Sequence, residues 1–401
     1  MALGALCARA AHADSLRLSE VLTLVEERGP EQAVATGQLD IARADVHTAR
    51  MFPNPGILLS AGRAEPVFAG SLQFRLPIFG QRGARVAAEE RALDQTAREV
   101  AWTRWRLRHD ARIAYYSVAR ADDEVAIASE VETLSRRIAD IAREKYEVGS
   151  GTRLDQLQAA LVDVRAQQDV SDRRAIARVA RLELARQLGA TVESLGALTD
   201  LLGATGATPS LASLLADARG QHPELRAILA EREAARARAH AARADRRPVP
   251  TLELGVELLD PSTCGGNNFC VGPRGAIGFD LPVLNLNGGP IDRALAETRL
   301  ADLKAGAAQV RIESAIRAAY ESWTAAVVRA RFFDSQYVPN AIAVEAMARE
   351  GFSAGRSGLL PLIEAQRAVL DARLGRTEAL YAVQAARADL EVASGVPLSA
   401  P

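Results

Sequence analysis

Cys264 and Cys270 flank the five-residue loop GGNNF inside "DPSTCGGNNFCVGP", residues 260 to 273. Two thiols so placed could ligate a metal, form a redox pair or close a small ring. A two-cysteine site with no histidine nearby falls short of the four ligands zinc takes. In an oxidising compartment a Cys264–Cys270 disulfide is the simplest reading, and loop-closure entropy gives so short a ring roughly 2 kcal/mol. Free thiols remain the third alternative. Elsewhere the residues that do chemistry are sparse. His12, His47, His109, His222 and His240 are scattered. There is no phosphate-binding Walker loop, no HExxH, no glycine-rich dinucleotide turn and no plausible triad. The residues therefore point to no enzyme, no cofactor and no metal site.

The elements that must hold the cysteine loop are helical. Alanine, leucine, arginine and glutamate dominate, aromatic residues are only 4%, and three cysteines in 401 residues are no disulfide scaffold. Net charge is −1, so no global field favours nucleic acid. No apolar run reaches 18 residues, so any membrane passage would have to be a closed barrel. The start, "MALGALCARAAHADS", reads as the end of a secretory signal over residues 1–13. Its A-x-A site is Ala11-His12-Ala13, although a basic leader is missing. Cys7 lacks the small residue before it that a lipoprotein signal carries, so no lipid anchor is expected.

The chain is written twice. "REKYEVGSGTRLDQLQAALVDVR" (143 to 165) aligns with "REGFSAGRSGLLPLIEAQRAVLDAR" (349 to 373), placing Tyr146 on Phe352, Gly149 on Gly355 and Leu157 on Ile363. "SLQFRLPIFGQRGARV" matches "AIGFDLPVLNLNGGPI", and both copies end in a similar pair, Leu188-Gly189 and Ser394-Gly395. Residues 14–205 and 206–397 are thus expected to be two structural repeats. Each runs helix, helix, strand pair, very long helix, second long helix. The long helices are expected at 81–148, 152–188, 289–352 and 357–394. At 1.5 Å per residue the first of these would be a rod of roughly 100 Å. Ile127, Val131, Leu134, Ile138 and Ile141 mark a heptad seam on it, and Leu154, Leu157, Leu161 and Val164 begin the returning seam. Pro339 should bend the second copy's rod.

Strands are expected at 55–63, 68–78, 250–259 and 274–283. Leu72, Phe74, Leu76 and Ile78 alternate with polar residues, as do Leu252, Leu254, Val256 and Leu258, and Ile277, Phe279, Leu281 and Val283. Period-two alternation over 8 to 10 residues is the signature of a transmembrane β-strand. A soluble hairpin packed on the helices is the bland alternative. Against it, the pattern recurs in both copies, and nothing else there is apolar enough to cover the strands. Four strands cannot close a barrel, which needs about eight. Several chains must contribute, and a trimer would supply twelve strands. Arg63, Arg75, Glu253, Glu257 and Asp280 would then line a mildly cation-friendly pore mouth. The cysteine loop would face the outside of the cell.

At this point the residues resemble a known family, the TolC-like outer-membrane factors. They are the exit ducts of bacterial tripartite efflux pumps and type I secretion systems. The resemblance rests on the duplication, the Y-x-x-G and F-x-x-G turns at 146–149 and 352–355, and "PLIEAQ" at 361–366. "FRLPIFGQRGARV" also looks like the CzcC/CusC-like metal-efflux branch. The family implies a mainly α fold with membrane β-strands: a homotrimer with a twelve-stranded barrel in outer-membrane lipid on a periplasmic α-helical barrel. It also implies docking of the helical tips onto a periplasmic adaptor (membrane fusion protein), which links to an inner-membrane pump. The tips here would be Tyr146, Val148, Gly149, Thr152, Phe352, Gly355 and Ser357. Asp155 and Glu364 match the acidic side chains that ring the periplasmic gate in family members, while Pro361 stands at another position that is acidic in them. Whether metal ions, drugs or polypeptides pass is not legible in these residues. The rival from another class is a periplasmic coiled-coil adaptor or scaffold without a pore; such adaptors carry one hairpin, and here there are two.

Overall fold

The computed structural model describes residues 15–62, 66–200, 202–203, 210–280 and 286–398. The signal segment and Arg63 lie outside the described residues. A two-residue strand β1 (Ser15–Leu16) leads into α1 (Leu18–Arg28) and α2 (Pro30–Arg50). Strands β2 (Gly56–Ala61) and β3 (Phe68–Arg75) follow, then α3 (Gln81–Glu147) and α4 (Arg153–Leu188). After a short β4 (Ala197–Leu198) come α5 (Leu211–Gln221), α6 (Pro223–Ala244) and β5 (Pro250–Leu259). One helical turn, α7 (Pro261–Cys264), precedes β6 (Cys270–Phe279); α8 (Gly288–Phe332), α9 (Val338–Ser353) and α10 (Leu359–Ser394) complete the chain.

Local chemistry explains these bounds. Pro30 and Pro223 open α2 and α6 at the first helical position, where a missing N–H costs nothing. From Ala84 to Glu147 the sequence contains neither glycine nor proline, so α3 runs for 67 residues. Pro77 ends β3 short of residue 78, since it cannot donate to a ladder. Pro339 cannot accept the turn that a regular helix would give it, and the chain responds with a π-helical turn at Phe333–Tyr337. The bend expected at this proline is therefore a widened turn just before it.

Two compact units emerge, each drawing on both halves of the sequence: residues 1–35, 103–222 and 310–401 in one, 36–102 and 223–309 in the other. In the first, helices pack on a core of Val21, Val25, Leu107, Ala111, Tyr115, Val118, Leu184, Ala379 and Val383. Tyr115 is fully buried; its hydroxyl donates to the Leu16 carbonyl at 3.0 Å and accepts the Asp200 N–H at 3.2 Å. The phenol pKa is pushed up to about 12, chiefly by burial.

The seams differ in part from those read in the sequence: of the α3 line Ile138 is buried, while Ile141 is 42% exposed. On α3 the buried line is Leu107, Ala114, Ala121, Ala128, Ser135 and Ala142, one every seven residues; on α10 it is Ala365, Ala372, Ala379 and Ala386. Small residues let helix axes come close, so these alanines fill the interior. Leu154, Leu157, Leu161 and Val164 of α4 instead stand 54–69% exposed. Within the single chain the expected returning seam is thus an exposed stripe, and Ala159 and Val170 are among the buried positions of α4. Ion pairs run between α3 and α10: Arg112–Glu391 at 2.5 Å, Arg120–Glu378 at 2.8 Å and Arg373–Glu130 at 2.6 Å.

In the second unit a four-stranded antiparallel sheet has the order β2-β3-β5-β6. The central pair, β3 with β5, joins residues about 180 apart in sequence, so each repeat contributes one outer and one inner strand. Below the sheet, Ala84 and Ala88 of α3 pack on Ala241 and Ala244 of α6. Buried Gln81 donates its amide to the carbonyls of Arg247 and Pro248, at 3.2 and 3.1 Å.

Candidate functional site

The register sorts every strand residue onto one of two faces. Ile57 lies opposite Leu72, Leu72 opposite Leu254, Phe74 opposite Leu252, and Leu252 opposite Ile277. Directly paired residues share a face. One face is therefore apolar across all four strands, and its members are solvent-exposed in the single chain: Ile57 at 75%, Val271 at 67%, Ile277 at 68%. The other face carries Ser71, Gln73, Arg75, Thr251, Glu253, Glu257 and Arg274. Among the described residues both outer strands, β2 and β6, have one neighbour each. A sheet with an uncovered apolar face and two open edges would be a liability in water.

On the polar face Glu253 is the centre of a network. It accepts from Ser71 Oγ at 2.7 Å and from Gln73 Nε2 at 3.4 Å, and pairs with Arg274 at 3.3 Å. The same guanidinium reaches Glu257 at 3.7 Å. At the sheet end away from the long helices, β5 and β6 are joined through α7 and the cysteine loop. Cys264 and Cys270 are disulfide-bonded, with a Cα–Cα distance of 6.0 Å. Asp260 caps α7, accepting from Ser262 Oγ at 2.7 Å and from the Ser262 N–H at 2.9 Å, and these two hydrogen bonds hold its carboxyl below the usual range.

The two helical hairpins end in turns of the same construction. At the first, the N–H groups of Ser150 and Gly151 both donate to the Lys145 carbonyl, at 2.8 and 2.9 Å. At the second, those of Arg356 and Ser357 donate to Gly351, at 2.8 and 3.1 Å. Gly149 and Gly355 make the reversal possible with φ of +73° and +69°. Thr152 and Asp155 form a reciprocal capping box, Thr152 Oγ1 accepting the Asp155 N–H at 3.0 Å. Behind the turns, Ile138, Ala142, Ala159, Leu359 and Leu362 cluster, with Phe352 packed alongside. The Lys145 ammonium lies 4.2 Å from the Phe352 ring centre.

The sequence profile of the outer membrane efflux protein family matches residues 21–190. The chain is 23% identical over 365 residues to the cobalt-zinc-cadmium resistance protein CzcC of Cupriavidus metallidurans, a match covering 90% of this chain and 86% of that one. The chain is thus similar to the outer-membrane efflux proteins, over residues 21–190 to the family profile and over most of its length to CzcC. Solved outer-membrane channels share the fold of this chain. CmeC of Campylobacter jejuni aligns with TM-score 0.78 at 14% identity, covering 94% of this chain and 85% of that one. CusC aligns at 0.69 and 18%, covering 95% and 92%. These solved structures are outer-membrane channels, and the likeness to them is one of fold. No described helix is long and apolar enough to cross a membrane, and no group of three or more metal-ligating side chains occurs among the described residues.

Of the residues singled out in the sequence, Asp155 is engaged in its own helix cap, while Glu364 is exposed on α10. Tyr146 stacks under Arg153, whose guanidinium carbon is 5.4 Å from the ring centre. Val148 is 78% exposed at the tip. Glu253 and Glu257 share the polar face with Arg75, but their ionic partner is Arg274, not Arg75. Asp280 follows the last residue of β6 and is exposed. Arg274 was missed because the strand was expected to begin there; β6 starts four residues earlier, at Cys270. The signal available was its parity with Ala276 and Gly278, one strand-face repeat apart.

Proposed function

We propose that this protein is a TolC-like outer-membrane factor, the exit duct of a tripartite efflux system, and works as a homotrimer. Three four-stranded sheets join edge to edge into a twelve-stranded barrel, with the apolar faces against lipid and the polar faces lining the lumen. The observation that carries this is the sheet itself: an apolar face exposed on all four strands, bounded by two edges that only other chains can fill. A scaffold without a pore would leave that face in water.

The two halves, 14–205 and 206–397, are duplicated repeats; the matching hydrogen bonds at Lys145 and Gly351 support this. The cysteine ring then sits outside the cell. The tips around Tyr146, Val148, Gly149, Thr152, Phe352, Gly355 and Ser357 dock a periplasmic adaptor that connects to an inner-membrane pump. Asp155 and Glu364 belong to the gate behind them. For cargo, the likeness to CzcC favours divalent metal cations. The test is complementation of a metal-sensitive strain that retains its pump and adaptor but has lost its own outer-membrane factor. Restored tolerance to cobalt, zinc or cadmium is expected. Protein that assembles in the outer membrane yet restores none would overturn the metal assignment.

A further inference from the structure

We infer that Arg274 sets the ion preference of the barrel. The inference rests on the reading of the sheet's polar face as the lumen wall. Arg274 lies directly opposite Gly255, midway between Glu253 and Glu257 on β5. A side chain at residue 255 would collide with the neighbouring strand, since a Cβ there would come within 2.2 Å of the Gly70 carbonyl oxygen. The position between the two glutamates is thus kept free of any side chain, and the guanidinium spans it. Nε reaches Glu253 at 3.3 Å and Nη1 reaches Glu257 at 3.7 Å. All three side chains are partly withdrawn from solvent, at 14% exposed for Glu253, 24% for Glu257 and 33% for Arg274.

Charge arithmetic follows from this geometry. Two carboxylates and one guanidinium leave each cluster with one net negative charge, so three copies give a ring of about three. Losing Arg274 doubles that charge, and neutralising Glu257 abolishes it. Arg75, opposite Thr251 toward the helical end, has no part in the cluster. Three unit charges about 10 Å from the pore axis, in water and partly screened at 0.1 M salt, change cation-to-anion permeability by roughly two- to eightfold. At this ring the wild-type duct is therefore only weakly cation-preferring, because Arg274 holds the ring at half its carboxylate charge.

Reversal potentials of the purified full chain in planar bilayers under a KCl gradient test this. R274A should raise the cation-to-anion permeability ratio by roughly two- to eightfold. E257Q should lower it, and R274K should stay near wild type. If wild type conducts and neither R274A nor E257Q moves the ratio, the inference falls while the pore stands. If R274A fails to assemble, E257Q decides alone, because it keeps the Arg274–Glu253 pair and removes the charge. A wild-type protein from the outer membrane that does not conduct would sink the pore reading itself, and the inference with it.

Discussion

His109 of α3 sits between two carboxylates. Nδ1 lies 2.9 Å from Asp110 and Nε2 lies 2.7 Å from Asp389 of α10. The hydrogen bond to Asp110, then that to Asp389, pushes its pKa up to about 9, with burial opposing. The folded value thus exceeds the unfolded one near 6.5. The stabilisation is complete below pH 6.5 and is lost as pH rises through 9. Replacing His109 with Gln should lower the thermal dissociation temperature at pH 6, and the difference from wild type should close by pH 10. A pH-independent difference would contradict the account. Legibility at this scale follows sequence distance. The cysteine pair was visible because its ring is local. The His109 pair was not, since Asp389 is 280 residues away. Arg274 was hidden by a strand boundary placed four residues late.

At the scale of elements, the long helices and alternating strands were plain in the sequence, because each is written in uninterrupted local periodicity. The helix-to-helix seams were not. In an alanine-rich chain a seven-residue spacing of alanines does not stand out, whereas the leucine stripe of α4 does. The buried alanines fix how closely helices approach. Ala379 is fully buried, so Ala379→Leu should cost about 1–3 kcal/mol through overpacking. Leu161→Ala on the outward stripe should cost far less within a single chain. Comparing their urea midpoints against wild type in detergent checks this. Equal losses for the two would mean that the alanine seam does not carry the packing. At the tips, the paired turns show the opposite case: Gly149 and Gly355 were read from sequence as turn residues, and each adopts the left-handed conformation that asks for glycine.

For the whole molecule, one physical fact dominates: a sheet of four strands that is apolar on one side, polar on the other and open at both edges. The strand pairing that makes it, β3 with β5, ties the two halves of the sequence together and could not be read from either half alone. Nor could the two compact units, since each takes residues from both halves. The proposed association would complete such a sheet. The most direct measurement is the mass of the detergent-extracted protein from an outer-membrane fraction, by light scattering with the detergent subtracted. Three chain masses are the predicted result. A water-soluble monomer or dimer would contradict the shared barrel.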